Sequence, residues 1–280
     1  MLWKFSSCLH NPRLAKLLLH QCTVQTRQMA KVSVNGVGIN YEQAGTGPHT
    51  VLCMPGALGS ALTDFGPQLK SLAGAELTLV AWDPPGYGLS RPPDRSFGPL
   101  FFREDAEAAA GLMQALGYDK YSVMGWSDGG NSAVILAAMR PENVTKLVIW
   151  GANAYVTDKD SELYEAVRDI DKWSERMKAP MLELYGEGYF RSTWNAWVDG
   201  ISALKNTENG ICRREATQVR CPTLLVHGAK DAMVPAEHPE FFSKHIPDVR
   251  LHMFPEGKHN LHMRFADEFN TLVTDFLMGR

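Results

Sequence analysis

Six short apolar runs are spaced along the chain and predict the strands of a sheet. They cover residues 50–54, 77–82, 121–126, 146–150, 223–227 and 250–254. Runs that are apolar on both faces are typical of buried strands in a parallel sheet. A hairpin is predicted before them, because residues 31–41 alternate around Asn35-Gly36.

Between these runs, apolar residues recur at helical spacing. The spacing predicts helices over 101–116, 129–139 and 262–277. Strands that alternate with helices predict a doubly wound α/β sheet. The chain shows no internal repeat and no low-complexity segment.

The alternation stops over residues 152–219, where the pattern favours helices. Thr157 and Asp160 have the spacing of a capping box. Apolar residues follow at helical spacing, at Leu163, Val167 and Ile170. The segment also holds three tryptophans, Trp173, Trp194 and Trp197. We therefore predict a helical cap that covers an apolar site, inserted between core segments 31–151 and 220–280; a surface excursion without function is the alternative.

Residues 1–30 differ from the remainder in charge. No Asp or Glu precedes Glu42, whereas basic residues are frequent, at Lys4, Arg13, Lys16 and Arg27. Asn11-Pro12 is a helix-start pattern, and one face of the helix carries leucines, at Leu14, Leu17 and Leu18. An acid-free, basic, amphipathic start is typical of a mitochondrial transit peptide. It predicts a mitochondrial protein whose folded part begins near Ala30; a disordered tail on a cytoplasmic protein is the alternative.

The composition excludes several classes of partner. Of 280 residues, 45% are hydrophobic and 21% charged, and the formal net charge is −3. Because there is no basic excess, nucleic-acid binding is not expected. No apolar run approaches the roughly 18 residues of a membrane span. The five cysteines form no C-x-x-C pair, so neither a disulfide framework nor a zinc site is expected, and reduced thiols favour an intracellular compartment.

The candidate chemistry begins at Gly125-Trp126-Ser127-Asp128-Gly129. This G-x-S-x-G sequence follows a predicted strand and precedes a helix of small residues, which is the context of a nucleophile elbow. The turn lifts the serine hydroxyl clear of the sheet. The flanking glycines are required because a Cβ there would collide with the neighbouring strand or helix. Ser127 is therefore the predicted nucleophile.

A serine nucleophile needs a histidine base that a carboxylate orients. In the fold that carries this elbow, the chain order is Ser, then Asp or Glu, then His. Asp231 follows one predicted strand and His259 follows the next. Both lie at the carboxyl ends of strands, where sites in open α/β sheets collect. We predict Asp231 as the orienter and His259 as the base.

The other titratable residues fit these roles less well. Asp248 precedes the last predicted strand, so it lies at the wrong end of the sheet. Glu256 is too close to His259 in sequence to be the favoured partner. His227 is interpreted as structural. His262 follows His259 by three positions, but no carboxylate completes a metal site with this pair, and no metal is predicted.

Asp128 is predicted to act twice in the site. Its backbone N–H and that of Ala57 are the predicted oxyanion hole, where one donor contributes about 10² to 10³ in rate. Its carboxylate beside a developing oxyanion is unusual. Either it binds a substrate ammonium group, or it is an acid that interacts with the helix dipole. Physical argument alone leaves both interpretations open.

Three segments carry a resemblance to a known family: 125–130 (GWSDGG), 150–158 (WGANAYVTD) and 255–262 (PEGKHNLH). They resemble the biphenyl hydrolase-like family of serine hydrolases, also called valacyclovir hydrolases, within the α/β-hydrolase superfamily. The resemblance runs from about Lys31 to the C-terminus. It implies an α/β-hydrolase fold and a mitochondrial enzyme that cleaves α-amino acid esters. Departures are Pro55-Gly56, where many members of the wider fold have His-Gly, and Pro85, where Arg is expected.

By the same resemblance, Ser127, Asp231 and His259 are the triad, and Asp128 holds the α-ammonium group. The expected reaction is acyl transfer through an acyl-enzyme, with a small-molecule ester as substrate and no cofactor. Small apolar acyl groups and a monomeric protein are expected. Two alternatives remain: carbon–carbon bond hydrolysis of a ring-fission product by the same triad, and a non-catalytic ligand receptor on the same fold.

Overall fold

The computed structural model describes residues 27–280, which form a sheet of eight strands in the order β1-β2-β4-β3-β5-β6-β7-β8. The strands are β1 (Arg27–Val34), β2 (Val37–Ala44), β3 (His49–Met54), β4 (Leu77–Trp82), β5 (Tyr121–Trp126), β6 (Val144–Trp150), β7 (Thr223–Gly228) and β8 (Val249–Phe254). β1 pairs with β2, and β2 with β4, in antiparallel fashion, and the remaining pairs are parallel. The predicted hairpin and the mostly parallel sheet are confirmed.

Helices cover both faces of this sheet. They are α1 (Ala61–Ser71), α2 (Phe101–Ala115), α3 (Asp128–Met139), α4 (Asp158–Ala166), α5 (Glu175–Ala203), α6 (Arg213–Ala216), α7 (Glu237–His245), α8 (Leu261–Arg264) and α9 (Ala266–Met278). Alternate strand residues enter opposite apolar clusters: Leu52 and Met54 join one, Val51 and Cys53 the other. The predicted α/β class is confirmed.

Three details differ from the sequence-based expectation. The helix predicted over 262–277 is two helices, because Phe265 leaves the helical region at φ −119° and ψ 45°. The patterns of α1 and α7 were not recognised; each contains a proline, Pro67 and Pro239. Strand β8 is not fully buried, since Leu251 and Met253 are 41% and 40% exposed. It is the last strand of the sheet and has a neighbour on one side only.

The segment between β6 and β7 contains α4, α5 and α6, with short 3₁₀ turns. Thr157 and Asp160 form the expected capping box at the start of α4. That helix ends at Ala166, so Val167 and Ile170 lie beyond it. Helix α5 is interrupted at Gly186, where φ is 70°. We refer to residues 152–219 as the cap.

Only the last residues of the predicted targeting segment, 27–30, lie within the described structure. Strand β1 begins at Arg27, before the expected start of the core at residue 31, and pairs with β2 along its length. Most of the predicted targeting segment 1–30 lies outside the described residues. Within residues 27–280, each helix is too short or too polar to cross a bilayer.

Candidate active site

Ser127 lies on the sharp turn between β5 and α3. Its backbone adopts φ 55° and ψ −124°, a strained conformation for a non-glycine residue. Its N–H donates to the Trp150 carbonyl at 2.9 Å, which fixes the turn against β6. A Cβ on Gly125 would lie 2.3 Å from the Gly129 carbonyl oxygen, and one on Gly129 would lie 2.0 Å from that of Met54. The glycines on either side of the serine therefore permit the strand and helix to approach.

The structure brings together Ser127, His259 and Asp231, which are far apart in sequence. His259 Nε2 lies 3.1 Å from Ser127 Oγ, and His259 Nδ1 lies 2.9 Å from Asp231 Oδ2. The second oxygen of Asp231 accepts from the Met233 and Val234 N–H groups at 2.8 and 3.0 Å. Burial alone would raise the pKa of Asp231, but His259 and the backbone donors outweigh it and lower that pKa. The carboxylate therefore stays charged and lies where the predicted orienter of the imidazole has to be.

Trp126, the variable position of the motif, supports the histidine loop. Its Nε1–H donates to the His259 carbonyl at 2.9 Å, and the two rings lie 5.3 Å apart between centroids. Gly151 faces the same imidazole: a Cβ there would lie 3.0 Å from His259 Cε1. This role of Trp126 is not predicted by the sequence pattern. Its position beside the nucleophile was the available signal.

His262 does not form a metal pair with His259. Its Nδ1 accepts from Trp150 Nε1–H at 2.9 Å, and its Nε2 donates to the Asp64 carbonyl at 3.0 Å. Burial lowers the pKa of His262 to about 3, so the ring is neutral. Both ring nitrogens are thus in use inside the core. Within residues 27–280, no group of three or more His, Cys, Asp or Glu side chains is placed to hold a metal ion.

Glu256 and Asp248, which the sequence does not favour as partners of His259, both lie apart from the Ser127–His259–Asp231 group. Glu256 forms an exposed ion pair with Lys230. Asp248 precedes β8, and its carbonyl accepts from the Thr223 N–H at the start of β7, at the end of the strands away from the elbow.

Residues 56–59, which we call the oxyanion loop, form a tight turn after β3. The Gly59 N–H donates to the Gly56 carbonyl at 3.0 Å, and Leu58 adopts φ 55°. Asp64 anchors the start of the loop, because its Oδ2 accepts from the Gly56 N–H at 2.9 Å. Burial raises the pKa of Asp64 to about 7. A Cβ on Gly59 would lie 1.9 Å from the Asp64 carboxylate, so the loop can close this tightly only with glycine there.

The two residues predicted to supply the oxyanion donors lie next to the candidate nucleophile in the structure or in the sequence. A Cβ on Gly56 would lie 3.3 Å from Ser127 Cβ, so the loop borders the serine. The Ala57 N–H has no protein acceptor among the described residues. Asp128 is the first residue of α3, and the helix itself leaves such an N–H unused.

The Asp128 side chain turns from the elbow toward the cap. It is 6% exposed, and its Oδ2 accepts from Trp197 Nε1–H at 2.7 Å. Burial raises the pKa of Asp128 to about 7, although the Trp197 hydrogen bond and the positive charge of Arg95 oppose this. Arg95 is itself held by Asp105 in a bidentate pair at 2.6 and 2.7 Å. Among residues 27–280, the Asp128 carboxylate thus has one neutral hydrogen-bond donor, and the nearby Arg95 is already paired with Asp105.

Comparison with known proteins identifies the family of the chain. The profile of the Alpha/beta hydrolase family matches residues 51–272. The chain belongs to the α/β-hydrolase family. It is 57% identical over 249 residues to human "Serine hydrolase BPHL", covering 89% of this chain and 86% of that protein. The mouse protein of the same name is 55% identical with the same coverage.

These relatives bear out the resemblance drawn from the sequence, and the chain is a serine hydrolase. A solved serine hydrolase from the polyaromatic hydrocarbon-degrading bacterium Cycloclasticus zankles superimposes with a TM-score of 0.76 at 18% identity. The match covers 91% of this α/β-hydrolase and 99% of that chain. At that identity the match speaks for the fold.

Proposed function

We propose that this serine hydrolase cleaves carboxylic esters of α-amino acids through an acyl-enzyme. Ser127 is the nucleophile, His259 the general base and acid, and Asp231 the orienter. The backbone N–H groups of Ala57 and Asp128 form the oxyanion hole. The Asp128 carboxylate binds the substrate ammonium group.

The proposed reaction has two steps, acylation of Ser127 and hydrolysis of the acyl-enzyme, and His259 transfers a proton in each. His259 Nε2 takes the Ser127 hydroxyl proton while Oγ attacks the ester carbonyl, and the negative oxygen is held by the two backbone N–H groups. When the carbon–oxygen bond to the leaving group breaks, His259 returns the proton to the departing alcohol. Water then attacks the acyl-enzyme with His259 as base, and collapse releases the carboxylic acid and restores Ser127.

The state of the Asp128 carboxylate is the observation that carries the substrate class. A buried carboxylate with one neutral hydrogen-bond donor is poorly compensated, and burial raises its pKa to about 7. A cation placed against it would restore the charged form and gain a strong, weakly screened interaction. In an α-amino acid ester, the ammonium group is attached to the carbon next to the scissile carbonyl. Asp128 follows the nucleophile directly, so one substrate can reach both.

The interaction with the helix dipole is a weaker explanation for Asp128. An acid in the first turn of a helix gains about 0.3–1 kcal/mol when it is exposed. Such a role does not require burial, and the side chain is directed to Trp197 of the cap. The ammonium hypothesis explains why the cap covers this carboxylate.

The test compares an α-amino acid ester with its desamino analogue, which has the same leaving group and acyl length. In the wild type, kcat/KM for the amino-acid ester is expected to exceed that for the analogue by about 10²-fold, the scale of a buried charge pair. Asp128→Asn should abolish this ratio while it preserves hydrolysis of the analogue. Equal rates for both esters in the wild type would overturn the substrate proposal. A fluorophosphonate probe that fails to label Ser127 would overturn the catalytic one.

A carbon–carbon hydrolase is separated by the same assay. Its dienoic ketone substrate carries no ammonium group, so Asp128 contributes nothing to its binding. Faster turnover of such a ketone than of any amino-acid ester, unaffected by Asp128→Asn, would favour that alternative.

We also propose a mitochondrial location and action as a monomer on a small molecule, without nucleic acid. The basic, acid-free N-terminus supports the location. A fluorescent fusion of the full chain should colocalise with mitochondria, and removal of residues 1–26 should leave it in the cytoplasm. Light scattering should give the mass of one chain.

A further inference from the structure

Two tyrosines of the cap reach down to loops of the core in similar ways. Tyr185 Oη–H donates to the Leu58 carbonyl at 2.7 Å, and the same oxygen accepts from the Gly88 N–H at 2.8 Å. Tyr189 Oη–H donates to the Gly86 carbonyl at 2.7 Å and accepts from the Arg95 N–H at 2.9 Å. Both belong to α5, and their rings stack at 5.8 Å. Only Tyr185 touches the oxyanion loop.

The hydrogen bond from Tyr185 enters a chain of peptide units that ends at the oxyanion hole. The Leu58 carbonyl and the Gly59 N–H belong to one peptide unit, and that N–H donates to the Gly56 carbonyl at 3.0 Å. The Gly56 carbonyl and the Ala57 N–H belong to a second peptide unit, which this hydrogen bond links to the first. Because a peptide unit is planar and trans, the direction of its carbonyl fixes the opposite direction of its N–H. Tyr185 therefore acts on the Ala57 N–H through two rigid peptide units.

The oxyanion loop requires such a restraint. Leu58 adopts φ 55°, a conformation that favours glycine and is costly for a γ-branched residue. Its carbonyl has no acceptor role other than the bond from Tyr185 among the described residues. Asp64 secures the other end of the loop at the Gly56 N–H. Without Tyr185, the Gly59 N–H bond to the Gly56 carbonyl is the remaining hydrogen bond of the Leu58–Gly59 peptide unit among the described residues, so the unit is held less firmly against the strain at Leu58.

We propose that Tyr185 is a positioning residue through which the cap orients a donor of the oxyanion hole. The proposal rests on the catalytic roles of Ser127 and Ala57 proposed above. The cap hydroxyl orients the Ala57 N–H toward the developing oxyanion and polarises the hydrogen-bond chain in the direction that strengthens this donor. Without the Tyr185 hydroxyl, the Ala57 N–H is held less firmly and part of the transition-state stabilisation is lost.

Tyr185→Phe tests the proposal, with Tyr189→Phe as the matched control. Each variant removes one hydroxyl that donates to a loop carbonyl and accepts a loop N–H, so both should lower the melting temperature by similar amounts. Tyr185→Phe should lower kcat for 4-nitrophenyl acetate about tenfold with KM little changed, since complete loss of one oxyanion donor costs about 10² to 10³. Tyr189→Phe should keep kcat within about twofold, the ordinary scatter for a change outside the site.

Affinity for a transition-state mimic gives a second readout. Phenylboronic acid forms a tetrahedral adduct with the serine and places an oxygen in the oxyanion hole. Its inhibition constant should rise in Tyr185→Phe by the same factor as kcat falls, and stay unchanged in Tyr189→Phe. Equal kcat values for the two variants, or a loss confined to KM, would overturn the proposal. If Tyr185→Phe does not fold, 4-aminophenylalanine at position 185 keeps a weaker donor; the expected kcat loss is then about threefold at position 185 and absent at 189.

The choice of ester separates this inference from the substrate proposal. 4-Nitrophenyl acetate carries no ammonium group, so the comparison of tyrosines is independent of Asp128. If the wild type hydrolyses this ester but shows no preference for amino-acid esters, the substrate class is wrong and the role of Tyr185 can still hold. If the wild type hydrolyses no ester and Ser127 is not labelled, the catalytic proposal itself fails.

Discussion

Two carboxylates of the candidate site, one bound to residues of the core and one to a residue of the cap, differ in how their negative charge is compensated. On the core side, Asp231 receives two backbone N–H bonds and the His259 imidazole, and its pKa is lowered. On the cap side, Asp128 receives the Trp197 indole N–H, and burial raises its pKa to about 7. A fully compensated charge holds a catalytic group in place. An undercompensated one gains from a cation placed against it, and this contrast is the reason for our proposal that Asp128 binds the substrate ammonium group.

The largest expected effect is on the core side. Asp231→Asn should lower kcat about 10⁴-fold for charged and uncharged esters alike, because the imidazole loses its orienting carboxylate. Glu256→Gln is the matched control, as it removes an exposed acid from the neighbouring loop. Steady-state kinetics with folding checked by circular dichroism decides the outcome. Comparable losses in both variants would contradict the assignment.

The two carboxylates should also affect stability with opposite signs. The folded-state pKa of Asp128 is above its unfolded value, so its ionisation costs stability as the pH rises from about 4 to 7. At about 1.4 kcal/mol per pKa unit, that cost is on the order of 4 kcal/mol above pH 7. Asp128→Asn should therefore raise the free energy of unfolding at pH 8 and change it little near pH 4.

The effect of the Asp231 charge on stability has the opposite sign. Its folded-state pKa is lowered, so its charge contributes stability above the unfolded pKa of about 3.9, and this contribution disappears as the pH falls through the folded value. Asp231→Asn should thus lower the free energy of unfolding at pH 8. Urea unfolding of both variants at pH 4 and pH 8 measures the two effects. Destabilisation of both at pH 8 would show that Asp128 is already compensated.

A smaller effect is expected from the donor that supports Asp128. Trp197→Phe removes the indole N–H and should lower kcat/KM for amino-acid esters about tenfold, the value of a hydrogen bond to a charged group. The desamino ester should be unaffected. Trp194→Phe is the matched control, because Trp194 stacks on Trp197 at 4.5 Å but donates to the Val167 carbonyl. A similar loss in both variants would indicate lost packing and not a lost donor.

The smallest effect is expected on the histidine loop. Trp126→Phe keeps an aromatic ring beside His259 but removes the 2.9 Å bond to its carbonyl. We expect a loss of about threefold to tenfold in kcat, the scale of one neutral hydrogen bond, for every ester. A change in the ratio of amino-acid to desamino ester would instead place Trp126 in substrate recognition.

Much of the core could be predicted because its signals are local. The elbow around Ser127 is read from glycines two residues on either side, and each strand from a continuous apolar run. Asp231 and His259 followed from chain order and from the ends of two strands. The missed helices lacked such a pattern, because α1 carries Pro67 and α7 carries Pro239. The break between α8 and α9 at Phe265 is likewise a matter of backbone geometry.

The contacts between cap residues and the candidate site could not be predicted from the sequence, for a physical reason. Trp197 meets Asp128 across 69 positions, and Tyr185 meets Leu58 across 127. Nothing in the spacing of either pair marks a contact. The three cap tryptophans did indicate a covered apolar site, but not that one indole would bind a carboxylate.

By itself, the sequence determined the order of the candidate catalytic residues along the chain: Ser127 on its elbow, then Asp231, then His259. Only the tertiary structure decided what each carboxylate is. The pKa of an acid depends on the water removed from it and on the donors turned toward it, and both come from elements distant in sequence. Asp231 and Asp128 are the same residue type in one candidate site, and packing alone lowers the pKa of Asp231 and raises that of Asp128 to about 7.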